Sequence, residues 1–325
     1  MRYILISAII LVGAALAVVF IVIPAKNEIS IHKDTAQFLE VRPPNTLTSD
    51  VPNIDADVRT SDVLKLIEIA PEVEIANLTL RTGETLIAEL SEEPVKVLFN
   101  DKEVSAFPYQ ENFRAAIPLP LGTRTGTYTL RAEFEDNAPV EKIVYILAKE
   151  QQIIILPPPP KLGMTDKQIV QNLSVSNTDL RKLVAEIEEV TRFAEPFGLP
   201  VDEPAVISSP FGEIRKTGEE EIVHLGVDFD VPKGTAVGAI NAGTVESSYL
   251  DSIYGNSVVI DHGRGIYSLY LHLDSRSVKT GEVAEKGQII GFSGDSGFSS
   301  APHLHLSVKI NGVSVDPIQF ISVFR

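Results

Sequence analysis

A mainly β chain behind an apolar leading segment is the fold class this sequence predicts, and three observations carry that expectation. Short runs in which apolar and polar residues alternate fill Ile75–Ala148. Val/Ile/Leu runs punctuated by glycine fill the stretch after residue 223. Tyr3–Ile23 carries no ionisable side chain beyond Tyr3 itself. Alternation at period two sends successive side chains to opposite faces of a strand, so such runs read as half-buried strands. At 325 residues the chain exceeds the ~100–200 residues usual for one domain, and two folded units with connecting segments are expected.

From the N-terminus, residues 1–24 are expected to form a transmembrane helix, because at ~1.5 Å per residue Tyr3–Ile23 is long enough to cross a ~30 Å hydrocarbon core. No clear A-x-A cleavage pattern stands before Pro24, which favours an uncleaved anchor; cleavage near Ala25 would leave a secreted chain. Arg2 precedes the apolar run, while Lys26 and Lys33 are offset by Glu28 and Asp34. The positive-inside bias is weak, and the bulk of the chain is placed outside the cell membrane. Residues 25–74, with Pro43, Pro44, Pro52 and Pro71 and no sustained period, read as a tether.

Residues 75–148 are expected to be an immunoglobulin-like sandwich of antiparallel strands. The runs Leu78/Leu80, Val95/Val97/Phe99 and Tyr128/Leu130/Ala132/Phe134 are separated by turn residues at Asn100–Asp101, Gly122 and Gly126. The stretch holds no histidine and no carboxylates clustered at ligand spacing, which suits a spacer or a module for cell-envelope protein partners. Residues 149–200 read as a Pro-rich and helical linker. Pro157–Pro160 is stiff polyproline. Thr165 with Gln168 makes a capping box, and Leu180, Leu183, Val184, Ile187 and Val190 recur at helical steps until Pro196 and Gly198. Such an arm, leading into the last domain, raises the question of whether the linker helix covers a cleft there.

Charge and cysteine usage narrow the chemistry. A net charge of −16 argues against nucleic acid as a partner, because phosphate binders gather Lys and Arg on one face. The chain has no cysteine, so disulfides, thiolate ligands and cysteine nucleophiles are excluded. Any metal must sit on histidine and carboxylate.

Five of the six histidines lie beyond residue 223, within His224-Leu-Gly-Val-Asp228, Tyr270-Leu-His272-Leu273, His303-Leu-His305-Leu306 and, separately, at His262. In a strand, His303 and His305 face one side while Leu304 and Leu306 face a core. His224 and Asp228, four apart, also share a face in strand geometry, with Gly226 leaving room between them. Two histidines and one aspartate meet the three-ligand count of a catalytic zinc site, which leaves further histidines for proton transfer. His262, in the IDHGRG turn, reads as structural or exposed. Asp230 competes with Asp228, and Tyr270 is expected on the face of His272. Ser299 and Ser300 lack a triad context and are expected to shape the loop before HLH.

HLGVD, YLHL and HLH in this order resemble the lysostaphin-type (LytM-like) zinc peptidoglycan endopeptidases. SSPFGEIR (Ser208–Arg215), YGNSVVIDHG (Tyr254–Gly263) and GDSGFSSAPHLHL (Gly294–Leu306) extend the resemblance over about Ile207–Phe320. It implies that residues 201–325 form an antiparallel β metallopeptidase domain of barrel-sandwich-hybrid type. It further implies zinc on His224, Asp228 and His305, proton handling by His272 and His303, and a peptide of bacterial peptidoglycan as substrate. Two other readings compete. A non-catalytic LytM-like domain would regulate other cell-wall hydrolases, but such domains have lost ligands that stand here. VKTGEVAEKGQIIG (Val278–Gly291) resembles a lipoyl or biotin carrier hairpin, yet Lys286 is not at its tip and those carriers work in the cytoplasm.

Overall fold

The structure is a computed structural model that describes residues 3–12, 15–24, 70–155, 163, 165–184, 187–202, 206–217 and 220–324. Most of the expected tether, residues 25–69, and the polyproline stretch Pro157–Pro160 lie outside the described residues. The chain divides into two compact units, Met1–Leu66 and Ile67–Arg325.

In the first unit, Tyr3–Val12 and Ala15–Pro24 pair as an antiparallel hairpin. The helix expected over Tyr3–Ile23 is thus replaced by two strands, and no helix among the described residues is long and apolar enough to cross a membrane. The run is rich in isoleucine and valine, whose branched side chains suit strands, and a continuous apolar run has no period by which helix and strand could be told apart.

The second unit begins with two sheets. One runs in the order Thr79–Arg81, Val140–Leu147, Gly126–Glu133, Lys96–Phe99 and Lys102–Val104; the other in the order Val73–Ile75, Thr85–Leu90, Asn112–Pro118 and Ala106–Tyr109. Their inward residues, among them Leu80, Leu86, Leu90, Val97, Leu130, Val144 and Ile146, share one core. Thr79–Arg81 pairs in parallel with Val140–Leu147, where antiparallel strands alone were expected. After Ile75 the chain crosses from one sheet to the other, so it arrives at that edge running in the direction of the last strand.

Helix α1 spans Asp166–Leu183. Thr165 caps it: its hydroxyl accepts from the Gln168 amide N–H, and the Gln168 side-chain oxygen accepts from the Thr165 N–H at 2.9 Å. The helix stops at Val184, well before the Val190 that the apolar spacing suggests; Ile187 and Val190 are exposed. Residues 188–192 are drawn instead to the turn at 261–264. The Glu188 carbonyl accepts from Arg264 N–H, Arg192 N–H donates to the His262 carbonyl, and the Arg192 guanidinium pairs with Asp261 at 2.8 Å. Tertiary bonds outweigh local helical preference here.

The site is positioned by an eight-stranded sheet. In chain order its strands are β1 (Val206–Ser209), β2 (Val227–Asp230), β3 (Gly243–Asp251), β4 (Gly255–Asp261), β5 (Ile266–Leu273), β6 (Val283–Ala284), β7 (Leu304–Ile310) and β8 (Val313–Val315). They lie in the order β1-β2-β7-β5-β4-β3-β6, with β8 also on β7, and every pairing is antiparallel. Alternation divides the two faces. Val258, Ile260, Ile266, Tyr270, Leu304, Leu306, Val308 and Ile310 join a core with Phe320 of helix α2 (Pro317–Val323) and with Phe324. Val259, Tyr267, Leu269 and Leu271 face the other way and pack under Leu180 and Val184 of the linker.

The first core extends into the sandwich. Ile87, Phe107 and Tyr109 belong to it, with Tyr109 edge-on to Phe324 at 5.6 Å between ring centroids. The Asp316 N–H donates to the Gly83 carbonyl, Gln319 bonds both backbone groups of Thr85 through its side chain, and Lys149 pairs with Asp316 at 2.9 Å.

Candidate metal centre

The register of the sheet assembles the site. Asp228 of β2 and Leu271 of β5 both stand opposite His305 of β7, and residues directly opposite each other share a face. His224 arrives differently. It lies one residue past the strand Glu220–Val223, in the turn that leads to β2. That turn must approach β7 closely: a Cβ on Gly226 would lie 2.5 Å from both His305 Nε2 and the Leu306 carbonyl oxygen. Only glycine fits there.

The result is a compact donor set. His224 Nε2 is 3.1 Å from Asp228 Oδ1 and 3.0 Å from His305 Nδ1, and His305 Nδ1 is 2.8 Å from Asp228 Oδ1. All three residues are buried, and their ligand atoms lie within 4.8 Å of one another. Two imidazole nitrogens and one carboxylate oxygen suit a divalent ion of borderline softness such as zinc.

The outer nitrogens decide which atoms face the centre. His224 Nδ1 donates to the Pro210 carbonyl at 3.1 Å, His272 Nδ1 to the Ser296 carbonyl at 2.9 Å and His303 Nδ1 to the Ala301 carbonyl at 2.8 Å. Each therefore turns Nε2 inward. His305 is reversed. The Ser307 hydroxyl donates to the Leu225 carbonyl at 2.7 Å and so accepts from His305 Nε2 at 3.0 Å, which leaves Nδ1 bare toward Asp228.

His272 and His303 complete the cluster from the side. Their ring centroids are 5.0 Å apart, and His303 Nε2 lies 3.7 Å from Asp228 Oδ1. His272 stands at φ +60°, a left-handed conformation that a non-glycine residue adopts at some cost. This backbone breaks the alternation at the end of β5 and brings His272 beside His303 and His305. Tyr270, expected on the same face as His272, is instead in the opposite core, with its hydroxyl accepting from the Ile240 N–H at 2.8 Å.

Electrostatics favour an ionised Asp228 beside neutral His272 and His305. Burial pushes the Asp228 carboxyl up, but its close contacts with the His224 and His305 imidazoles together hold it well below the usual carboxylate range. Burial pulls His305 down to about 4 against the pull of Asp228, and pulls His272 down to about 3, with the neighbouring His303 and His305 acting in the same direction. Both are neutral near pH 7.

Other side chains find plainer roles. Asp230 is exposed and outside the donor set. His262 is wholly buried, not exposed, with Nδ1 donating to the Ala242 carbonyl at 2.7 Å and Nε2 at 2.8 Å from the Ser268 hydroxyl. The Ser299 hydroxyl donates to the Ala301 carbonyl at 2.7 Å, within the loop that presents His303. Arg215, unassigned by sequence reasoning although it sits in SSPFGEIR, ion-pairs with Asp228 and donates to the Ser209 hydroxyl at 2.7 Å; the buried Glu213 accepts from its Nε at 3.2 Å.

The cluster opens into a cleft of about 540 Å³. One wall is α1, through Leu173, Asn177 and Leu180, and another is formed by Ile222, Val223 and Ile154. The helix is held there by Ser176, which donates to Asp251 at 2.9 Å, and by Tyr254, whose hydroxyl donates to Asn177 at 2.7 Å. The linker helix therefore lines the cleft.

Donor set and flanking imidazoles together define a metallohydrolase-type centre. Residues 222–317 match peptidase family M23, a span that holds all five site residues and the Val278–Gly291 hairpin. The chain carries a peptidase M23 domain. It is 42% identical over 94 residues to the peptidoglycan DD-endopeptidase ShyC of Vibrio cholerae, covering 29% of this chain and 22% of that protein. It is 39% identical over 105 residues to lysostaphin of Staphylococcus simulans, covering 30% and 21%. A solved M23-type structure from Pseudomonas aeruginosa aligns over 75% of this chain and 95% of its own, with TM-score 0.51 and 24% identity. That last likeness is one of fold, and it reaches beyond the family match. The chain matches only about a quarter of the length of the first curated relatives, 26% in each case.

Proposed function

We propose that this protein is a zinc endopeptidase that hydrolyses peptide bonds of bacterial peptidoglycan outside the cytoplasmic membrane. One observation carries the reading: three imidazoles gather within 3.7 Å of Asp228 and a fourth, His272, stands beside two of them, each with its outer nitrogen tied to a carbonyl or hydroxyl oxygen. His224 Nε2, His305 Nδ1 and an Asp228 oxygen would hold the ion. A bound zinc ion supplies Lewis acidity toward a scissile carbonyl and toward water. His272 and His303 lie beside this set with Nε2 free, so either accepts a proton from water or, once protonated, donates to the leaving amine. Arg215 ion-pairs with Asp228 and orients it, and α1 with the Ile222–Val223 edge walls the cleft. The family relation to ShyC and lysostaphin supports the substrate class, and the apolar Tyr3–Ile23 segment supports an extracytoplasmic, membrane-associated location.

The test uses the full chain, loaded with zinc, and follows release of soluble peptide from purified peptidoglycan. Wild type is expected to bind one zinc and release peptide. His303→Ala is expected to keep the metal and lose about 10²–10⁴-fold in rate. Bound zinc without cleavage of any peptidoglycan type would replace hydrolysis by the regulatory, non-catalytic reading. Recovery of the protein in the soluble cytoplasmic fraction would overturn the location.

A further inference from the structure

One buried cation in the cleft has no role in the centre just described. Lys309 lies on β7 four residues beyond His305, on the same face, so its Cα is about 13 Å further along the strand. It is only 8% exposed, lines the same cleft as the metal cluster, and stands where the cleft passes beneath α1. Its ammonium donates to the Ser314 hydroxyl at 2.6 Å, and among the described residues no carboxylate pairs with it. The other charged group near it is Arg181 in the last turn of α1, of the same sign. Buried charges are ordinarily paired, because an ammonium out of water without a counter-ion is costly. Burial, with Arg181 adding to it, pulls this amine down to about 8, so it is still mostly cationic at pH 7.

We infer that Lys309 is a specificity residue of the substrate groove, whose ammonium receives a carboxylate of the bound peptide four strand positions beyond the metal ligand His305. Ser314 holds one of the three ammonium donors and aims the others into the cleft. Arg181 adds a second positive charge at the groove wall. An extended peptide that reacts at the centre and runs along β7 under α1 brings a side-chain or terminal carboxylate to Lys309 some three or four residues from the scissile bond. This inference rests on the peptidase reading for the direction of the substrate, but the recognition of the anion is separable from hydrolysis.

The experiment reads binding without turnover. The full, zinc-loaded chain carrying His303→Ala is titrated calorimetrically with soluble peptidoglycan peptides, and with the same peptides after their carboxylates are converted to methylamides. Free-carboxylate peptides are expected to bind about tenfold more tightly than the amides. Adding Lys309→Met is expected to remove that gap, and Lys309→Arg to restore most of it, with thermal midpoints confirming that each variant is folded. A gap that survives Lys309→Met, or no gap at all, overturns the inference. Cleavage by the wild-type chain is scored separately, so failure of the peptidase reading shows as absent hydrolysis while the carboxylate preference remains.

Discussion

The two faces of one strand divide the labour of this molecule. Along β7, Leu304, Leu306, Val308 and Ile310 enter a dry core shared with α2 and the sandwich, while His305, Ser307 and Lys309 enter the cleft under α1. Neighbouring residues thus belong to different systems, one measured by stability and the other by metal and substrate. Because the strand period is two, a change at one residue should leave the other system nearly untouched.

Substitutions on the two faces sharpen that separation. The largest effect is expected for His305→Ala: zinc content measured by atomic absorption falls from one per chain to background, and hydrolysis goes with it, while the urea midpoint of the metal-free protein moves little. Its neighbour behaves in the opposite way. Leu306→Ala is expected to lower stability by about 2–5 kcal/mol in urea titration, with zinc stoichiometry retained below the transition. If Leu306→Ala abolished metal binding in a folded protein, the two faces would not be independent. Ser307→Ala removes the hydroxyl that fixes the His305 tautomer and is expected to weaken zinc affinity about 10–100-fold in chelator competition, with Ser307→Thr restoring most of it. A pH-dependent effect belongs to the buried His262, which burial pulls down to about 4. Its unfolded form takes up a proton near pH 6.5 and its folded form does not until about pH 4. Stability is therefore complete above pH 6.5 and falls as pH drops through this window. His262→Gln should flatten that dependence by close to one proton, read from urea midpoints of the metal-free protein.

Much of this division is visible in the sequence. HLHL places imidazoles and leucines on opposite sides by simple alternation, and Gly226 between His224 and Asp228 marks the close approach that the Cβ distances explain. Three features are not legible for physical reasons. Tyr270 and His272 are two apart, yet occupy different faces, because a left-handed residue at the end of β5 breaks the period. The helix ends at Leu183 although the apolar spacing runs on to Val190, since long-range bonds to residues 261–264 claim the backbone beyond it. Tyr3–Ile23 reads as a helix by length, but an uninterrupted apolar run rich in β-branched residues is equally suited to strands. Arg215 and Lys309 are plain enough as residues; only the fold shows that one meets Asp228 and the other faces the cleft.

Phe211 has a consequence of another kind. It is 1% exposed, sits next to the Pro210 whose carbonyl orients His224, and lies so close to Gly83 of the sandwich that a Cβ there would come within 2.6 Å of its ring. A hydrogen bond that sets the metal ligand is thus braced by a residue more than a hundred positions upstream. A different neighbour in place of the sandwich would leave Phe211 without the Gly83 surface against which it packs.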